Sequence, residues 1–393
     1  KALIQDADSQ RAEMNTVSKQ IGQLMREGKK DEAEAAKAQT GSIKTTIGEL
    51  DEKLNTVSAE LDTLLLRLPN LPHESVPVGR DENDNVVVRE GEHKNTVDGD
   101  AKPHWEIVDQ LGIVDFDLGS KITGAGFPVY IGQGAQLQRA LINFFLARAT
   151  AEGYTEVQPP HLINQDSGIG TGQLPDKDGQ MYEVTKDGLY LIPTAEVPVT
   201  NIYRDTIIEQ HQLPKKLCAY SPCFRREAGS YGKDVRGLNR LHQFDKVEIV
   251  QVVEPENSYD TLESMVSYVE GLLKELGLQY RVLLLSTGDC TSSSAKTYDM
   301  EVWSAAQERW LEVSSISNFE CYQARRMQLR FRPEGEKKTR NAHTLNGSAL
   351  ALPRIVAAII ENYQQPDGTV QVPPVLQTYT GFDTIERAAH PLR

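Results

Sequence analysis

Cys223-Phe224-Arg225-Arg226-Glu227-Ala228-Gly229-Ser230, returning through Arg236-Gly237-Leu238-Asn239-Arg240 into His242-Gln243-Phe244-Asp245-Lys246-Val247-Glu248, is the stretch on which the fold turns. An arginine ends a strand-like run just before a loop, and the chain comes back along a second strand-like run. Strand, loop and strand then present Arg225 and Glu248 from neighbouring strands. A planar guanidinium offers its donors as a fixed fork that suits phosphate or carboxylate oxygens. Carboxylates nearby suit an ammonium group or Mg²⁺. Arg beside Glu on strands is by itself most often a structural ion pair. A second element weighs against that reading: Leu345 to Asn362 forms a strand, a Gly turn and a helix with Arg354 near its start. A buried helix has no need of an arginine there, whereas a triphosphate does.

Around this stretch lie further strand-like runs at Tyr154 to Val157, Leu189 to Ile192, Lys246 to Val253, Tyr280 to Leu285, Tyr298 to Trp303 and Arg309 to Ser315, with a helix over Ala135 to Ala151. Several strands follow one another without an intervening helix, which predicts an antiparallel sheet in an α+β domain rather than a doubly wound parallel one. The N-terminal region differs. Leu3, Ala7, Met14, Val17, Ile21 and Leu24, then Ile43, Ile47, Leu50, Leu54, Val57, Leu61 and Leu64, are spaced by fours and threes apart from a polar seam position at Gln10. Two such seams broken at Glu27-Gly28-Lys29-Lys30-Asp31 predict an antiparallel helical hairpin that projects from the body, with Arg26, Lys29 and Lys30 at its turn. Pro69, Pro72 and Pro77 stop the second helix. The expected organisation is an arm over 1–66, a linker over 67–103 with a short edge strand at Asn85 to Val88, and a main domain over 104–393.

The 393 residues carry 42 Lys and Arg against 56 Asp and Glu, a formal charge of −14, so any nucleic-acid contact must be local rather than spread over the surface. The chain starts without a signal-like segment and contains no long apolar run, which predicts a soluble, cytoplasmic protein with no membrane contact. Cys218, Cys223, Cys290 and Cys321 have neither disulfide-framework nor zinc-ligand spacing, so free thiols and no zinc are expected. Nucleotide motifs of other kinds are missing: Gly28-Lys29 and Gly232-Lys233 are not followed by Ser or Thr, and Gly168, Gly170 and Gly172 lack dinucleotide spacing and read as a flexible loop.

The chain resembles the bacterial-type seryl-tRNA synthetases, among the class II aminoacyl-tRNA synthetases, from the hairpin through Ile385. The markers are Leu-Pro-Asn-Leu-Pro-His-Glu-Ser-Val-Pro-Val-Gly at 68–79, Gly-Thr-Gly-Gln-Leu-Pro at 170–175, Thr-Ala-Glu-Val-Pro at 194–198, Phe-Arg-Arg-Glu-Ala-Gly-Ser at 224–230, His-Gln-Phe-Asp-Lys-Val-Glu at 242–248, Glu-Val-Ser-Ser at 312–315 and Thr-Leu-Asn-Gly-Ser at 344–348. Each alone is weak; in this order they are specific. The resemblance implies a class II antiparallel sheet flanked by helices, with the hairpin as a coiled-coil arm for the long variable arm of serine tRNA. It implies ATP-dependent activation of L-serine to seryl-adenylate, then transfer to the 3′-terminal adenosine of serine tRNA, with selenocysteine tRNA as a further acceptor to test.

By the same resemblance Arg225, Glu248 and Arg354 are the catalytic residues. Serine falls to Thr194, Ala195, Glu196, Arg225, Glu248, Asn346 and Ser348, and ATP to Arg225, Arg226, Glu227, Glu312, Val313, Ser314, Ser315 and Arg354. Arg225 would contact the α-phosphate and the serine carboxylate, Glu227 the adenine, and Arg354 the γ-phosphate, while Glu312 and Ser315 would bind Mg²⁺. Gly132 to Pro160 resembles motif 1 of the class, which implies a homodimer. Two departures stand out: a polar run, Cys290-Thr291-Ser292-Ser293-Ser294, after Gly288-Asp289, and Pro353 just before Arg354. Two rival readings remain: a ligase that loads a carrier protein, whose relatives lack the arm, and a catalytically dead paralogue, which has no reason to keep Arg225, Glu248, Glu312 and Arg354 together.

Overall fold

The computed structural model describes residues 1–91, 97, 100–176, 179–227 and 236–387. Its contacts divide the chain into Lys1–Leu68 and Pro69–Arg393.

The first unit is a helical hairpin of α1 (Ala2–Arg26) and α2 (Lys30–Leu65). Its seam buries the small or branched residues Ala7, Val17, Ala33 and Ile43, and Arg11 donates across it to Asp51 at 2.6 Å. At 1.5 Å per residue α2 is about 54 Å long. It outruns α1, so Val57, Leu61 and Leu64 of its last turns are exposed.

The main elements of the second unit are β1 (Val86–Glu90), α3 (His104–Leu111), α4 (Gln133–Ala151), β2 (Thr155–Glu156), α5 (Gln165–Thr171), α6 (Glu196–Thr200), β3 (Lys215–Phe224), β4 (Gln243–Val253), α7 (Ser258–Glu275), β5 (Tyr280–Leu284), β6 (Lys296–Ser304), β7 (Arg309–Asn318), α8 (Tyr322–Arg326), β8 (His343–Ala351) and α9 (Leu352–Asn362). Eight strands form one sheet in the order β1-β5-β6-β7-β8-β4-β3-β2, antiparallel throughout except for β2 beside β3. One face packs on α4, α7 and α9: Val247, Ile249, Ile316 and Leu345 meet Phe144, Phe145, Leu262, Met265, Ile355 and Ile359 in a single core. Each such side chain contributes roughly 1.5–3 kcal/mol when fully buried. Gly347 sits in this layer, where a Cβ would stand 3.1 Å from Ile316, so the strands pack closely around its missing side chain.

The stretch expected as a linker is hydrogen-bonded into the second unit. Asn70 donates its amide to the Ser292 carbonyl at 2.7 Å and its side chain to the Ser293 and Phe319 carbonyls, and the His73 amide reaches the Ala295 carbonyl at 2.8 Å. The polar 290–294 run thus supplies carbonyls that anchor the Pro-rich segment, and β1 extends the sheet beside β5. Residues 92–96 and 98–99 of that stretch lie outside the described residues.

The glycines at 168, 170 and 172 correct the loop expectation. Gly168 and Gly170 lie in α5, which Asn164 caps by accepting the Ser167 amide at 2.9 Å and which Gly172 closes at φ +88°. A Cβ on Gly168 would collide with Leu174 and one on Gly170 with Met327, so these glycines serve close packing rather than mobility. No helix among the described residues is long and apolar enough to cross a membrane.

Candidate active site

Strand alternation decides which side chains face away from the helical layer. On β4, Val247 and Ile249 enter the core, leaving Lys246, Glu248 and Val250 on the opposite face. Across the ladder Glu248 pairs with Ser348 and Val250 with Asn346, so Glu248, Asn346 and Ser348 share that face. Thr194, just before α6, completes the cluster. Its hydroxyl donates to Glu248 Oε2 at 3.2 Å and accepts from Lys246 Nζ at 2.8 Å and from the Glu196 amide at 3.2 Å. Lys246 also pairs with Glu248 Oε2, and both are almost fully buried. Glu248 Oε1 is buried with no partner, an unmet acceptor within this cluster.

Glu196 completes the carboxylate pair, with Ala195 beside it fully buried. Its Oε1 accepts from Gln323 Nε2 at 2.7 Å, and Gln323 Oε1 is held by the Thr344 hydroxyl at 2.8 Å. Burial, reinforced by the charge of Glu248, pushes the Glu196 carboxyl up to about 7, against the opposing pull of Gln323.

Arg225 follows β3 directly. Its amide bonds the His242 carbonyl at 2.9 Å, its Nε donates to the Pro193 carbonyl at 3.3 Å, and its guanidinium lies 5.2 Å over the Phe244 ring. This places it beside the Thr194 turn. Arg226 is exposed, its amide fixed on the Gln180 carbonyl at 2.9 Å. Glu227 has φ +50° and accepts from Arg240 at 2.6 Å. Ala228, Gly229 and Ser230 of the same motif lie outside the described residues.

The second cluster depends on a β-bulge. Residues three apart on a regular strand face opposite ways, yet the register of β6 on β7 shifts between Met300 and Glu301, pairing Met300 with Ser314 and Glu301 with Glu312. Val313 is absorbed into the core and Ser314 donates to the Ser348 carbonyl at 2.6 Å, so Glu312 and Ser315 are the side chains left on the cleft face. Arg354, in the first turn of α9, donates to the Glu312 carbonyl at 2.6 Å and the Asn239 carbonyl at 3.0 Å, with its guanidinium 3.6 Å from the Glu312 carboxylate. Opposite Ser315 stands Asp299, with Oδ1 buried and unpartnered. Burial and the charge of Glu312 raise its carboxyl well above the ordinary range, against a hydrogen bond from Ser315.

A model of the class II tRNA synthetase core domain (G, H, P, S and T) matches residues 182–363, and a model of the seryl-tRNA synthetase N-terminal domain matches residues 1–72. A serine–tRNA ligase of Salinibacter ruber is 55% identical over 382 residues, covering 97% of this chain and 89% of the relative. The chain belongs to the seryl-tRNA synthetase family. The crystal structure of seryl-tRNA synthetase from Pyrococcus horikoshii complexed with ATP matches with a TM-score of 0.92 at 36% identity, covering 98% of this chain and 91% of that one. The cytoplasmic serine–tRNA ligase of Naegleria fowleri, in complex with AMP, matches with a TM-score of 0.85 at 28% identity, covering 98% and 90%.

In this chain the fold brings Thr194, Glu196, Glu248, Asn346 and Ser348 to one face beside Arg225, and Glu312, Ser315 and Arg354 to a second group. Lys246, Gln323 and Asp299 were not singled out in the sequence. Lys246 carries a legible signal, a charged residue on the same strand face as Glu248, whereas Asp299 meets Ser315 only across the ladder from a strand without a site residue. Gln323 carries none, because it lies 127 residues from the Glu196 it holds.

Proposed function

We propose that this protein activates L-serine with ATP on the face of β4 and β8 and transfers it to serine tRNA. The observation that carries the reading is the buried carboxylate pair, Glu196 and Glu248, with one acceptor unmet, set beside the Arg225 guanidinium. The serine ammonium seats against the two carboxylates, and its hydroxyl falls among Thr194, Asn346 and Ser348. Alanine leaves those buried polar groups unpaired and is rejected for that reason.

The serine carboxylate attacks the α-phosphorus in line, and the bond to the β-phosphate breaks to release pyrophosphate. Arg225 bridges carboxylate and α-phosphate and stabilises the charge that develops between them, so the rate comes from position and electrostatics rather than from a protein nucleophile. Glu227, oriented by Arg240, meets the adenine, and Arg354 holds the γ-phosphate. Glu312 and Ser315 would hold Mg²⁺: one carboxylate and one hydroxyl on one face, backed by the unpartnered Asp299 oxygen, suit an ion that keeps phosphate and water ligands. Held there, the ion would supply positive charge against the phosphates. In the second step the 3′-terminal hydroxyl of the tRNA attacks the seryl carbonyl and AMP leaves.

The hairpin of α1 and α2 is the arm that grips the long variable arm of serine tRNA. Gly132 to Pro160, containing α4 and β2, forms the interface of a homodimer, and the protein works in the cytoplasm without zinc. The test is serine-dependent exchange of pyrophosphate into ATP without tRNA, run beside alanine, threonine and glycine. Exchange with serine alone supports the reading; no exchange with serine from folded protein overturns it.

A further inference from the structure

His104, the first residue of α3, is fully buried and takes no part in the two clusters above. Its ring nitrogens have fixed and different roles. The Leu238 amide donates to Nε2 at 2.9 Å, so Nε2 carries no proton, and Nδ1–H therefore donates to Glu361 Oε1 at 2.7 Å. Glu361 belongs to α9, the helix whose first turn carries Arg354, and follows it by about two turns on the same helix face. It also accepts the His104 amide at 3.1 Å, the Gln307 side chain at 3.0 Å and the Ser304 hydroxyl.

The network closes on itself. Gln307 accepts from the Asn239 side chain at 2.9 Å, and the Asn239 carbonyl accepts Arg354 Nε at 3.0 Å. The chain at 237–240, returning from the loop toward β4, is therefore gripped between α3 and α9. Gly237 is fitted to that grip: at φ +67° a Cβ would collide with the His104 ring. The next residue after Asn239 is Arg240, whose guanidinium orients Glu227.

We propose that His104 is a positioning residue for ATP: by accepting the Leu238 amide while donating to Glu361, it sets the return segment that orients Arg354 through the Asn239 carbonyl and Glu227 through Arg240. This rests on the reading of Arg354 and Glu227 as the groups that hold the two ends of ATP. One buried imidazole then governs both ends, while among the described residues no hydrogen bond joins Thr194, Glu196 or Glu248 to that network.

Two substitutions separate the ring's two bonds. His104→Asn keeps a donor where Nδ1 stands but loses the acceptor for Leu238; His104→Gln places a carbonyl where Nε2 stands. In pyrophosphate exchange with the full-length protein, His104→Asn is expected to raise the KM for ATP about tenfold, the worth of one lost buried hydrogen bond, with the KM for serine unchanged. His104→Gln is expected to return the KM for ATP most of the way to the parent value. Gly237→Ala keeps the histidine but drives a Cβ against its ring, so it displaces the same segment and is expected to raise the KM for ATP. Thermal melts show whether each variant is folded. An unchanged KM for ATP in both His104→Asn and Gly237→Ala, or an equal rise for serine, would overturn the inference with the function intact. A parent protein without serine-dependent exchange would overturn the underlying reading and the inference with it.

Discussion

Lys246 and Glu248 are ion-paired on one face of β4, two residues apart, with side chains only 6% and 1% exposed. A lysine and a glutamate at this spacing on an exposed strand would contribute little, because water screens the attraction and both side chains lose freedom. Here each has given up hydration, and the Thr194 hydroxyl lies between them as a shared partner.

Lys246→Met leaves Glu248 buried without its cation. Stability is expected to fall by about 3 kcal/mol, in the range measured for breaking buried pairs, and the double replacement Lys246→Met with Glu248→Gln is expected to recover most of the loss. Urea unfolding of the three proteins checks both; equal stability of the single and double variants would contradict the account.

Serine binding should depend on pH through Glu196. Its carboxyl ionises near 7, so the charge that receives an ammonium group is gained as pH rises through that value. Between pH 6 and pH 8 the KM for serine is expected to fall about tenfold, and Glu196→Gln to abolish that dependence. The effect on stability has the opposite sense. The unfolded chain releases this proton near the ordinary 4.5 while the native state keeps it to about 7, so this group's contribution to stability declines as pH rises between the two.

Arg225→Ala removes the guanidinium that spans the reacting groups. A loss of about 10³-fold in the exchange rate is expected, comparable to removing an oxyanion donor, and Arg225→Lys should not restore it because the fork is gone. Near-parental exchange by the alanine variant would remove Arg225 from the mechanism.

Chelation of divalent ions is expected to stop exchange, with Mg²⁺ restoring it. Glu312→Gln should move the Mg²⁺ requirement to higher concentration, and Ser315→Ala should do so less, since a neutral hydroxyl contributes less to a hard cation than a carboxylate. Titration of exchange against Mg²⁺ for the parent and both variants decides this.

Removal of residues 1–68 separates the two half-reactions. The compact unit Pro69–Arg393 keeps every residue of both clusters, so exchange is expected to survive while charging of serine tRNA is lost. Charging at the parental rate would exclude the hairpin as the tRNA-gripping arm.

The hairpin, the antiparallel character of the sheet and the pairing of the strand that leads into Arg225 with the strand that carries Glu248 could all be read along the chain, because each depends on a local period or on a turn between adjacent segments. The face shared by Glu312 and Ser315 could not, since a regular strand would part residues three apart and only the bulge against β6 reunites them. Nor could the helix at Gln165–Thr171, where glycines that suggest a mobile loop are required by the approach of Leu174 and Met327. The protonation of Glu196, the burial of Lys246 and the grip of His104 on Leu238 were decided by tertiary structure alone. Desolvation and hydrogen-bond partners come from segments far away in the chain: Gln323 on α8 for Glu196, Thr194 for Lys246, and Glu361 at the end of α9 for His104. Sequence periodicity states which side of an element a residue takes, while the dielectric and the partner it finds there belong to the whole packed molecule.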